Sequence, residues 1–393
     1  MIVPKLRFSQ FKDEWNESNV GSLISNSSEK FNPLKETVNL PCVELEHLSQ
    51  GTGEIIGYCS SVKQKSIKNK FNEKNVLFGK LRPYLKKYAK PNFKGVCSSE
   101  IWVLSSQRLN TNLLFQYIQT RAFLDLTLIQ SGSKMPRAEW EMVADGTIFY
   151  PQEKEQTKIA EFLSAVDEKI SQLSRQLELL NQYKKGVMQK IFSQEIRFKN
   201  DNGEDFGEWE EIQLKEFLTL TLRPVDKPNK NYHALGVRSH FKGLFSKYDS
   251  QPEKNSMDVL YEVFENDIVV NITFAWEGAM AIANKIHHKG LVSHRFPTYQ
   301  TDESKILLNF FRYRFIQKDF LAELQLCSPG GAGRNRVLSK KDFLEISILK
   351  PSVQEQTKIA EFLTAIDERI DHTTAQLTHT KQWKKGLLQQ MFV

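Results

Sequence analysis

The sequence predicts an α+β chain in which two globular domains, each a mixed sheet with helices, alternate with two long helices that pair with each other. Three observations predict it. The segment Glu155-Gln156-Thr157-Lys158-Ile159-Ala160-Glu161-Phe162-Leu163 recurs letter for letter as Glu355 to Leu363. Each copy opens a long apolar stripe at helical spacing. Between and before the copies lie short β-rich segments broken by Gly, Asn and Pro. The boundaries that follow are 1–150 and 194–350 for the domains and 151–193 and 351–393 for the helices.

The chain opens on Leu6-Arg7-Phe8, followed by Phe11 and Trp15, and this lead-in returns after the first helix as Ile196-Arg197-Phe198 with Phe206 and Trp209. The second spacing is looser. Combined with the helix repeat it completes one cycle of lead-in, variable region and helix, run twice.

In the first variable region, Val43 to Leu45, Val76 to Phe78 and Ile101 to Leu104 read as strands and 113–128 as a helix. In the second, the strand candidates are 268–272, 280–283 and 306–308, with a helix around 311–324. The plan is shared and the residues differ, which points to one scaffold carrying two surfaces.

In the first long helix Ile159, Leu163, Val166, Ile170, Leu173, Leu177, Leu180, Val187 and Ile191 keep to steps of three and four, with Lys184 standing on the seam between Leu180 and Val187. The second gives Ile359, Leu363, Ile366, Ile370, Thr373, Leu377, Thr380, Leu387 and Met391, a more polar version of the same seam. Pro151 and Pro351 stand just upstream, where proline starts helices. A stripe this long must be covered. Mutual pairing is one way to cover it, through Ile159, Leu163, Val166, Ile170 and Leu177 with Ile359, Leu363, Ile366, Ile370 and Leu377; packing on two separate globular cores is the other. Lys184 and Lys384 fall on the seam, each followed by a second lysine, Lys185 and Lys385, and then by a glycine. A seam lysine means either that the seam has opened there or that a partner docks.

The net charge of +7 and pI of about 9.0 favour an anionic partner. Cys42, Cys59, Cys97 and Cys327 show no CxxC pairing and no histidine at ligand spacing, which argues for a reducing compartment and against a zinc site. The start has no signal-peptide core and no run is long enough to span a bilayer, so the chain reads as cytoplasmic. There is no phosphate loop, no HExxH, no GxSxG, no glycine-rich dinucleotide turn and no aspartate-rich metal cluster. His287-His288 is the only adjacent histidine pair and reads as solvated. No catalytic or metal-binding residue is expected.

Basic residues cluster in both variable regions. Between Lys63 and Lys94 lie Lys80, Arg82, Lys86 and Lys87 among other lysines, with Tyr84 interleaved and Glu73 as the only acid. The stretch holding His294 and Arg295 has no acid from Gly278 to Thr301. Lysines suit phosphates, and arginines or aromatics suit bases. A solvated basic face is the alternative for each. Two loops ahead of the helices carry glycine followed by cations: one ends in Lys134, Met135, Pro136 and Arg137, the other in Arg334, Asn335 and Arg336. Glycine permits close backbone approach, and Arg or Asn can read guanine or adenine edges. An ordinary tight connection is the plainer reading.

The pattern Pro-x(3)-Glu-Gln-x-Lys-Ile-x-x-Phe-Leu-x(3)-Asp-x-x-Ile, here Pro151 to Ile170 and Pro351 to Ile370, resembles the conserved helices of the specificity subunits of type I restriction-modification systems. The Leu-Arg-Phe lead-in and the Tyr/Trp-Lys-Lys-Gly segment share the resemblance, which spans the chain. It implies two target-recognition domains, each reading half of a split double-stranded DNA sequence, and a non-catalytic chain. It also implies docking of two modification subunits that methylate adenine at N6, with motor-nuclease restriction subunits added. S-adenosylmethionine, ATP and magnesium then belong to those partners. If the helices pair antiparallel, the tandem repeat becomes a pseudo-twofold object whose domains face DNA in inverted orientation. A helix of about 40 residues spans roughly 60 Å, more than the ~34 Å of a DNA turn, and would act as a ruler between half-sites. A stand-alone DNA-binding or adaptor protein that dimerises through its helices stays open.

Overall fold

A computed structural model describes residues 3–129, 136–330 and 336–393 of the chain. The fold is α+β, and it divides into two compact units, Met1–Leu177 with His372–Val393, and Glu178–Asp371. These cuts differ from the contiguous boundaries drawn from sequence, because each long helix gives its two halves to different bodies. The first long helix runs Glu153–Phe192 and the second Val353–Gln390.

The first unit is built on a five-stranded sheet in the order Lys30–Phe31, Lys68–Phe71, Gly95–Cys97, Pro41–Val43, Cys59–Ser60. Only the pair of Gly95–Cys97 with Pro41–Val43 is parallel. A three-stranded sheet sets Val76–Gly79 between Tyr88–Ala89 and Ile101–Leu104. All of Val76–Gly79 and Ile101–Leu104 is buried, which is why these strands read as unbroken apolar runs. Asn16–Asn19 pairs antiparallel with Thr147–Tyr150 and ties the lead-in to the foot of the first long helix.

The second unit repeats the plan. Its five-stranded sheet runs Pro224–Asp226, Val259–Val263, Gly290–Val292, Tyr232–Val237, Leu244–Ser250, again with one parallel pair at the same place. Ile268–Val270 lies between Met280–Ile282 and Thr298–Thr301, and Leu218–Leu220 extends that sheet. Glu210–Gln213 pairs with Ser347–Lys350 as the lead-in strand.

Four sequence expectations about strands and helices need correction. Leu45 begins a 3-10 turn, and the strand there is Pro41–Val43. The helices expected over 113–128 and 311–324 are each two, Thr111–Tyr117 with Arg121–Leu128 and Leu308–Arg314 with Lys318–Leu326. In the first pair Thr120 caps a new start by accepting from Phe123 N, so apolar spacing ran across a break that the cap makes. The strand expected at 306–308 is absent: both edges of Thr298–Thr301 are already paired, and Leu307 N instead donates to Gln356 Oε1 at 2.8 Å, starting a helix.

In the first unit Ile159, Leu163 and Val166, from the start of the first long helix, share one core with Leu387 and Met391 from the end of the second. In the second unit Met188 and Ile191, from the end of the first helix, share a core with Ile359, Leu363 and Ile366, from the start of the second. Start meets end in both units, so the helices pair antiparallel. Each half-helix also packs on its globular body, so the two coverings weighed from sequence operate together. Ile170 and Ile370 are half-buried against these cores, Leu177 is half-buried, and Leu377 is buried. Buried Thr373 shows that the polar seam is still covered.

Candidate nucleic-acid interface

The repeated letters of the long helices hold each body to its helix. Arg7 Nε and Nη2 donate to the two carboxylate oxygens of Glu155 at 2.7 Å each, and Arg197 does the same to Glu355 at 2.9 and 2.7 Å. Both glutamates are buried, and each hydrogen bond to its glutamate raises the arginine's pKa above its ordinary value. Gln156 Oε1 accepts from Asn110 N at 2.9 Å while its amide donates to Arg108 O and Pro151 O at 3.1 and 3.0 Å. Gln356 repeats this with Leu307 N, Lys305 O and Pro351 O. The Glu-Gln pair therefore fixes the lead-in with one residue and the following helical body with the next.

Lys184 and Lys384 are used within the chain. Lys384 Nζ pairs with Asp167 at 2.5 Å and donates to Gln119 Oε1 at 2.7 Å; burial lowers its pKa, against the pull of Asp167. Gln116 donates to the other oxygen of Asp167 at 2.7 Å. In the second unit Lys184 pairs with Asp367, to which Tyr313 Oη donates at 2.8 Å. The seam has not opened at these lysines; an aspartate on the opposite helix takes each. Lys184 and Lys384 join the helices, while Lys185 and Lys385 stay exposed on the same turns.

On the first body a turn follows Val76–Gly79. Lys80 N donates to Glu100 O at 2.9 Å, and Lys80 O accepts from Ala138 N at 2.8 Å. Arg82 N donates to Pro136 O at 2.7 Å, and Leu81 bridges to Arg137. A 3-10 turn, Pro83–Leu85, sits between Arg82 and Lys86, both in the left-handed region at φ 52° and 51°. Non-glycine residues hold that conformation at a cost of about 1–3 kcal/mol each, so the surrounding bonds dictate the turn. Gly79 N donates to Lys87 O at 2.8 Å and closes it. The result presents Arg82, Tyr84 and Lys86 to solvent, with Lys80 half-buried at the base.

Lys87, expected among the DNA contacts, points elsewhere: its Nζ donates to Leu45 O at 2.6 Å. Arg137 lies beside the turn and forms an ion pair with Glu100 at 3.0 Å. Lys134, Arg334 and Asn335 fall outside the described residues.

In the second unit His294 and Arg295 are exposed, and Arg295 O accepts from Ile272 N at 3.0 Å. Ile272 O accepts from Leu338 N at 2.8 Å, which brings the segment after Arg336 to the same place. The Arg336 guanidinium lies 5.3 Å from the centre of the Trp276 ring. The sequence points to these three side chains; Trp276 carries no local signal and stands out only once the two turns are matched by their hydrogen bonds. His287, read as solvated, is buried and accepts from Asn284 N through Nδ1 at 3.2 Å, capping its own turn; burial lowers its pKa. Among the described residues no cluster of His, Cys, Asp and Glu could hold a metal ion, and no helix is long and apolar enough to cross a membrane.

Residues 12–182 and 207–380 match the type I restriction modification DNA specificity domain, once per repeat. The putative type I restriction enzyme MjaX specificity subunit of Methanocaldococcus jannaschii is 23% identical over 385 residues, 90% of this chain and 86% of that protein. Among solved structures, the S subunit of a type I restriction-modification system from M. genitalium has a TM-score of 0.60 at 14% identity, covering 100% of this chain and 99% of that one. A chain from work on complex assembly and conformational transition of a type I restriction-modification system has a TM-score of 0.56 at 16% identity, covering 96% and 97%. With both halves of the sequence matched and the fold shared, the chain belongs to the type I restriction-modification DNA specificity family, whose members are non-catalytic DNA-recognition components.

Proposed function

We propose that this chain reads a bipartite, asymmetric double-stranded DNA target, one half with each body, and docks two modification subunits that methylate adenine at N6, with restriction subunits completing the assembly. The observation that carries the proposal is one scaffold bearing two surfaces. Both bodies have the same strand order in the five-stranded sheet and the same Arg-Glu and Gln clamps, yet the turn that presents Arg82, Tyr84 and Lys86 in the first has Phe274, Trp276 and Gly278 at the matching places in the second. Like scaffolds with unlike reading residues suit unlike half-sites. Phosphate contacts would come from Lys80, Lys86 and the neighbouring lysines, and base contacts from Arg82, Tyr84, Arg137, His294, Arg295 and Arg336. S-adenosylmethionine, ATP and magnesium would reside on the partner subunits, in the cytoplasm.

Selection of duplexes from a randomised pool by the chain purified with its modification partner tests this. Recovery of one split motif with a fixed gap is expected. A chain that selects a continuous site, or that selects equally well without the partner, would instead be a stand-alone DNA-binding protein.

A further inference from the structure

The backbone hydrogen bonds align the two reading turns residue by residue. Gly79 N to Lys87 O matches Asn271 N to Ala279 O, and Ala138 N to Lys80 O matches Leu338 N to Ile272 O. Lys80 is thereby equivalent to Ile272, Tyr84 to Trp276, and left-handed Lys86 to Gly278, whose φ of 75° is also left-handed. The 3-10 turns Pro83–Leu85 and Ala275–Glu277 coincide, and each carries a following helix, Arg121–Leu128 and Lys318–Leu326, packed on it.

The chemistry differs between them. The first turn carries Lys80, Arg82 and Lys86; its counterpart carries Ile272, Phe274 and Gly278, and its one charged residue, Glu277, accepts from Ser239 Oγ at 2.7 Å. The second turn has no cation of its own. Its cation is Arg336, brought in from the segment beside it and held against the Trp276 face. Trp276 is fixed in turn, with Nε1 donating to Thr273 O at 3.2 Å. Several other arginines of this unit are spent on carboxylates, as Arg223 is on Asp267, Arg314 on Asp319 and Arg197 on Glu355. Arg336 has no ion-pair partner among the described residues.

We infer that the turn 271–279 is the reading head of the second body, that Trp276 and Arg336 are its specificity-determining pair, and that their ligand is a guanine edge in the major groove. This rests on the DNA-reading function proposed above. An arginine held by a ring keeps its N–H donors unspent and oriented, which is what bidentate contact with guanine O6 and N7 requires. The first head carries three cations of its own; the second discriminates through one stacked arginine brought in from beside it.

The test uses the assembled complex with the modification partner and the mapped target. Each guanine is replaced in turn by 7-deazaguanine, which lacks the N7 acceptor, and binding is compared for wild type, Arg336→Lys and Trp276→Ala. For wild type, one guanine in one half-site should be sensitive, by roughly five- to a hundred-fold. Both variants should lose that sensitivity while the other half-site keeps its preferences, which also shows that the complex has assembled. If Trp276→Ala does not assemble, Trp276→Phe retains a ring and should retain part of the discrimination. Full discrimination in both variants, weakening spread equally over all sequences, or a half-site without a sensitive guanine would each overturn the inference. A wild-type complex with no split motif would instead remove the proposed function itself.

Discussion

Arg7 grips Glu155 through both carboxylate oxygens at 2.7 Å each, and Arg197 grips Glu355 in the same way. A forked pair of this kind aligns two planar groups and is among the stronger charge-assisted interactions. Glu155 and Glu355 are otherwise buried, so removing an arginine leaves a carboxylate without compensation. Arg7→Ala or Arg197→Ala should destabilise its own unit by about 3–5 kcal/mol, read by urea unfolding of the complex. Adding Glu155→Gln to Arg7→Ala should recover part of the loss, because the stranded charge is then gone. A single arginine variant as stable as wild type would show that the clamps are ornamental.

Lys384 joins the end of the second helix to Asp167 of the first and to Gln119 of the adjoining body. Lys384→Ala should cost about 1.5–3 kcal/mol, the range for hydrogen bonds to charged groups. A double-mutant cycle with Asp167→Asn should show coupling above about 0.5 kcal/mol. Strict additivity would mean that the pair contributes nothing specific. The matched pair of Lys184 with Asp367 gives an independent repeat of the experiment in the second unit.

High pH attacks the cores. Burial pushes the Tyr299 and Tyr313 phenols up to about 12 and those of Tyr88 and Tyr117 further up, from an ordinary value of 10.0. It pushes the Cys327 thiol up to about 11 from 9.0. The folded chain therefore holds protons that the unfolded chain releases. Stability from these groups is complete below pH 9 and is lost as pH rises through the window from 9 or 10 to about 12. Lys384, lowered by burial, works the other way, since the unfolded chain binds its proton more tightly, but it is one group against several. The thermal midpoint should fall steadily above about pH 9.5; a midpoint unchanged to about pH 11 would contradict these burials.

Salt dependence separates phosphate grip from base reading. Lys80→Ala with Lys86→Ala should reduce the slope of log binding constant against log salt by about 2, at roughly 0.9 for each phosphate no longer neutralised. Trp276→Ala should leave the slope unchanged. Titrations at several salt concentrations with a fixed duplex measure both, and equal slopes for all three chains would remove the first turn from the DNA interface.

The duplication, the long helices and their seam could be read directly because a shared packing problem forces a shared spacing. Glu155 and Gln156 stood out only as repeated letters; their work, gripping Arg7 and the 108–110 backbone, joins residues far apart in sequence and has no local signature. The seam lysines misled for a related reason. A lysine on an apolar stripe reads as an opening until the aspartate on the opposite helix is known. Basic residues of the first turn were legible by count, although direction was not: Lys86 faces solvent and Lys87 turns inward to Leu45 O. Trp276 was illegible because its equivalence with Tyr84 emerges only from the backbone hydrogen bonds, and the two segments share almost no letters.

The measurement that most directly tests a two-bodied DNA reader is the N6-methyladenine map of a host genome carrying this chain with its modification subunit. Methylation confined to one asymmetric motif, two short specified blocks separated by a fixed unspecified gap, is the expected result. Methylation at a single continuous or palindromic motif, or a map identical with and without this chain, would contradict it.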